Sequence, residues 1–106
     1  MIILTDYPPR PEDLVILVNF TDAKLGPPLF RGGHRLSSGF TFTKETTVYM
    51  EIREVTRSQA DALITVCRHC GFASPADVTL VRQHVGSHAD QVSSARVRRR
   101  ILELGW

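Results

Sequence analysis

Cys67, Cys70, His84 and His88 are the residues of this chain whose types and spacing could do chemistry. The stretch reads C-R-H-C, then thirteen residues, then H-V-G-S-H. Two thiolates and two imidazoles are the donor set a structural zinc ion takes in a closed tetrahedral site. The chain has two cysteines, and both fall inside this pattern. Four protein ligands leave the ion no open position, so the expected role is a staple and not a Lewis acid. His69, between the cysteines, reads as a spectator able to replace a helix histidine. His34 lies in a Gly-rich loop and has no partner that the sequence names.

The spacing works only if the right elements hold it. Ser74-Pro75-Ala76-Asp77 predicts a helix start, with Ser as N-cap, Pro at the first helical position and an acid three residues after the cap. That helix is expected to run through Val78, Val81, Val85, His88 and Val92, with Gly86 weakening its middle or marking a bend. His84 and His88, four apart, then share one face. Before the cysteines, Ala60, Leu63, Ile64 and Cys67 recur at helical spacing, and Thr56 with Gln59 offers a capping box. A strand through Leu63–Val66 is the alternative. Arg96 to Leu104 either continues the histidine helix or forms a separate last one.

The first half reads as β structure. Met1–Thr5 is an apolar strand closed by a turn whose Pro8, Pro9 and Pro11 enforce an extended path. Leu14–Phe20 is apolar and β-branched on both faces, as a fully buried strand should be. Thr21–Ser38 is loop-like, broken by Gly26-Pro27-Pro28 and Gly32-Gly33. Phe40 and Phe42, then Val48, Met50 and Ile52, alternate with polar residues, which predicts a hairpin turning near Lys44-Glu45.

On these residues Cys67–His88 resembles the Cys-Cys-His-His zinc finger. In that family a turn bearing two cysteines packs against a helix bearing two histidines, around one zinc ion. Gly71 suits the knuckle after the second thiolate, and Val81 stands three residues before the first histidine, where such fingers keep a core aliphatic. The middle gap is one residue longer than the common ~12. Ser74 also stands where the family has an aromatic, with Phe72 two residues early. The resemblance covers about 22 of the 106 residues. Two other readings of the same residues are two buried thiols with two surface histidines, and a redox dithiol. The dithiol needs its first cysteine at a helix N-terminus in a βαβ unit, whereas here the helix signal begins after the second.

The usual implication of such a finger is DNA reading. Its reading face would be Asp77, Thr79, Leu80 and Gln83. Gln83 could address adenine, but Leu80 offers no hydrogen bond and Asp77 repels phosphate. One finger covers only ~3 base pairs. The arginine cluster Arg96, Arg98, Arg99 and Arg100 is the better candidate, because guanidinium forks suit phosphates without base specificity. The same cluster reads equally as a solvated helix face or a salt-bridge patch between subunits. Ile101, Leu102, Leu104 and Trp106 follow at once, and the Trp is expected to dock on the body or on a partner.

Charge is split along the chain. Residues 1–55 carry six Lys or Arg against seven acids, and residues 56–106 carry seven Arg against four. Hydrophobic residues at 42% and charged residues at 23% are ordinary globular composition. No apolar run approaches the ~20 residues of a membrane span, and the start lacks the layout of a signal peptide. Thiols serving as ligands fit a reducing compartment, so the cytoplasm is expected, or a virion for a phage component. The acids are scattered and no Gly-rich phosphate loop follows a strand, so no enzyme and no small-molecule substrate is expected.

The sequence therefore predicts an α+β chain. Residues 1–55 form a β-rich antiparallel body, and residues 56–106 a zinc-finger-like module with a basic C-terminal helix. The expected function is a non-enzymatic structural or protein-interaction component with structural Zn2+. It would be a subunit of a larger assembly such as a phage particle. The alternative is a small nucleic-acid-binding regulator acting through the arginine cluster.

Overall fold

The computed structural model describes residues 1–36, 39–66 and 73–106. Its sheet is built around β2 (Val15–Asp22), which lies between β1 (Ile2–Ile3) and β3 (Thr46–Val55), antiparallel to both. Ile2 pairs with Val18, and Val15 with Val55. The register slips once, between Leu17 and Asn19.

The apolar run of β2 explains the layers. Val15, Ile16, Leu17 and Val18 are each at most 2% exposed. Because successive side chains of a strand point to opposite faces, both faces of the sheet must be covered. Ile16 and Val18 enter the main core, which α2 (Pro75–Ser87) and α3 (Ala95–Leu104) close with Val81, Val85, Val97 and Ile101. Val15 and Leu17 enter a smaller cluster, which α1 (Arg57–Val66) closes with Ala60 and Leu63. The chain is α+β, with helices on both faces of an N-terminal antiparallel sheet. Strand residues and the two later helices share one core.

Local signals set the helix ends. Thr56 and Gln59 form a reciprocal capping box: Thr56 N–H donates to Gln59 Oε1 at 2.9 Å, and Gln59 N–H to Thr56 Oγ1 at 3.2 Å. A helix, and not a strand, thus leads up to residue 66. Ser74 Oγ accepts from Asp77 N–H at 3.1 Å, with Pro75 at the first helical position. Ser94 caps α3, and Gly105 ends it in the left-handed region at φ 73°.

Two expectations need correction. The Phe40–Phe42 segment does not pair with Val48–Ile52. It folds back on the Gly-rich loop, with Phe42 N–H donating to His34 O at 2.9 Å and Leu36 N–H to Phe40 O at 2.8 Å. β3 is then free to run along β2, the longer apolar partner. The histidine helix does not extend to Val92. It stops at Ser87, a 3-10 turn spans Ala89–Gln91, and α3 is separate. Gly86 allows a close approach: a Cβ there would overlap the Trp106 carbonyl.

Candidate metal centre

The α2 start at Ser74-Pro75 places His84 and His88 one turn apart. Their rings lie 4.5 Å apart between centroids, tilted by 37°. His88 Nδ1 donates to the His84 carbonyl at 2.8 Å. A carbonyl only accepts, so the proton sits on Nδ1 and the Nε2 lone pair of neutral His88 is left to bind. His84 Nε2 lies 3.3 Å from Thr47 Oγ1, near the start of β3. Burial, and after it the neighbouring His88, holds the His84 imidazole below its ordinary value. That favours the neutral ring a metal needs.

The finger resemblance implies a zinc ion, and the histidine pair fits one as half a site: two imidazoles side by side, one with its tautomer fixed by a backbone carbonyl. Cys67 and Cys70 lie outside the described residues, as do His69, Gly71 and Phe72. Among the described residues no group of three or more His, Cys, Asp or Glu could hold a metal. The ion would depend on the two thiolates, each a stronger anchor than a neutral ring and a ligand only when deprotonated.

His34 does have a neighbour. Its ring stacks on Phe30, 4.5 Å between centroids and 15° between planes, and its Nε2 lies 3.8 Å from Asp77 Oδ1. Asp77 is itself 8% exposed. Of the residues expected to face DNA, Thr79, Leu80 and Gln83 are exposed, whereas Asp77 is turned into the body.

The arginine cluster is largely engaged within the chain. Arg100 Nη1 donates to Glu54 Oε2 at 2.7 Å, and Arg96 Nε lies 3.5 Å from Glu54 Oε1. Arg98 Nη2 donates to the Val92 carbonyl at 2.9 Å. Arg99 is exposed. The hollow beside them, about 340 Å³, is also lined by Glu12, Asp13 and Glu103, so both charge signs face it. Trp106 packs against the main core with the Arg82 guanidinium 5.4 Å from its ring centroid. Arg82 Nε in turn donates to the Leu4 carbonyl at 2.6 Å, tying α2 to the end of β1.

Sequence reasoning missed Thr47, Glu54 and Arg82. Glu54 had a signal: it continues the inward phase of Val48, Met50 and Ile52, which marks it as an acid aimed at the helices. Thr47 lies out of that phase and gave none.

Comparison of the chain with protein-family models, with curated proteins and with solved structures yields no match. Among the described residues no helix is long and apolar enough to cross a membrane.

Proposed function

We propose that this chain is a non-enzymatic structural and protein-interaction component stapled by one structural zinc ion. Cys67, Cys70, His84 and His88 are its ligands. The observation that carries the reading is the His84–His88 pair, with rings side by side and His88 Nε2 left open by the Nδ1–H bond to a carbonyl. Four ligands close the ion to substrate, so its work is to hold the segment after α1 onto α2. The partner is a protein in a larger assembly, such as a phage particle. Leu102 and Leu104, 63% and 44% exposed on α3, offer it apolar contact beside Trp106.

The regulator reading has less support, because Arg96, Arg98 and Arg100 already hold partners inside the chain. Elemental analysis of purified protein tests the centre and should return about one zinc per chain. Finding none, with both thiols freely reactive in the folded protein, would overturn it. A salt titration of DNA binding separates the two functions. Arg99 alone predicts weak binding with a log–log slope of about 1, whereas a regulator using the whole cluster would give a slope of roughly 3–4.

A further inference from the structure

We infer that the hollow between the β1–β2 loop and the end of α3 is a docking site for an arginine side chain of the protein partner. The site rests on the protein-interaction part of the reading above, names what that partner presents, and needs no metal.

Pro9 and Leu14 of the loop, with Leu104 and Trp106, give a hollow of about 250 Å³ an apolar lining. Its rim is charged, and the two signs are not equally available. Arg82 Nε donates to the Leu4 carbonyl at 2.6 Å, and Arg100 Nη1 to Glu54 Oε2 at 2.7 Å, so both guanidiniums are committed inside the fold. The carboxylates are not. Asp6 is fully exposed and comes only within 4.0 Å of Arg82 Nη2. Asp13 lines this hollow and the one beside it, where Glu12 and Glu103 add charge of the same sign. Among the described residues none of these last three side chains has an ion pair or hydrogen bond. An occupant must therefore join an apolar stem to a positive head. Arginine does so: its methylenes cover apolar surface, and its planar fork matches carboxylates better than an ammonium does. A phosphate backbone would be repelled by the same acids. The loop is also preformed. Pro8, Pro9 and Pro11 fix φ at three of its positions, Leu4 N–H donates to Ile16 O at 2.9 Å, and Ile16 N–H to Thr5 Oγ1 at 3.2 Å. A rim already ordered lowers the cost of binding.

The test is titration of the full chain with an acetylated, amidated Ala-Arg-Leu-Ala peptide, read by Trp106 emission and by 1H–15N correlation at Leu14 and Leu104. Peptides with citrulline, which is neutral and nearly isosteric, or with Glu in place of the arginine are the comparators. The arginine peptide is expected to bind with a dissociation constant on the order of 1 mM. Citrulline should weaken it by at least about 5-fold. Asp6→Asn with Asp13→Asn should cost a similar factor, and both side chains are exposed, so the fold should be kept. No binding up to ~10 mM, or equal binding of the citrulline peptide, overturns the inference. Zinc content is measured separately, so the reading above then still stands. Tighter binding of the Glu peptide makes the hollow an anion site, and a short DNA duplex that shifts the same signals makes nucleic acid its occupant; either result also overturns it. A chain without zinc that still binds the arginine peptide keeps this site and loses the staple.

Discussion

Glu54, at the end of β3, is 8% exposed at its side chain and holds Arg100 of α3 at 2.7 Å. Arg96, 78% exposed, touches the other carboxylate oxygen at 3.5 Å. The pair fixes α3 against the sheet alongside the apolar contacts of Val97 and Ile101. Replacing Arg100 by Met leaves a nearly buried carboxylate with one solvated partner. We expect a loss of about 1–3 kcal/mol in denaturant unfolding, below the ~3–5 of a fully buried pair because Arg96 remains. An unchanged midpoint would mean that the contact contributes nothing.

Gly86→Ala should destabilise, although Ala is ordinarily the better helix residue by up to ~1 kcal/mol. The added methyl meets the Trp106 backbone, and relieving that overlap is expected to cost about 1–3 kcal/mol. The chain has a single Trp, so its fluorescence reports the event directly. A red shift with lowered stability is expected, and a stabilised variant with native emission would refute the close approach.

Acid should weaken the metal-free fold through His84. Its imidazole is held below 6.5 in the folded chain, chiefly by burial, so the unfolded chain takes the proton first. Stability is therefore intact above ~6.5 and declines as pH falls below it toward the lowered folded value. Urea midpoints in chelator at about pH 7.5 and about pH 5.5 measure this, and His84→Gln should flatten the difference. An equally steep difference in the variant would assign it to other groups.

Removing metal should loosen the chain without unfolding it. An isolated finger collapses when chelated, but Val81 and Val85 of α2 lie in the same core as Ile16, Val18 and Val48. Chelation is expected to lower the melting temperature and expose both thiols while the sheet signal in circular dichroism persists. Cys67→Ser should behave alike, and loss of all structure would make the ion a condition for folding.

The parts legible in sequence were those set by local rules. The β-branched run Leu14–Phe20, the Thr56–Gln59 box and the Ser74-Pro75 cap each marked the start of an element to within a residue or two. Pairing was not local and was misread: Phe42 and Val48 both alternate, and nothing in that period says that His34 is the partner of one and β2 of the other. The Cys-Cys-His-His spacing was plain, but the contact of His84 Nε2 with Thr47, 37 positions away, was not. The arginine cluster showed the same limit. Its charge was visible and its engagement with Glu54 was not.

The two clusters flanking β2 differ in size, and this grades the motions of the molecule. α1 is held by Ala60 and Leu63 on a small patch, whereas α2 and α3 share the main core. Its amides should exchange with solvent through a partial opening that leaves the sheet closed, while those of Ile16–Val18 wait for global unfolding. Since α1 leads straight into Cys67, an occupied centre would slow that opening. Deuterium uptake in Arg57–Val66 then becomes a clock for whether the staple is fastened.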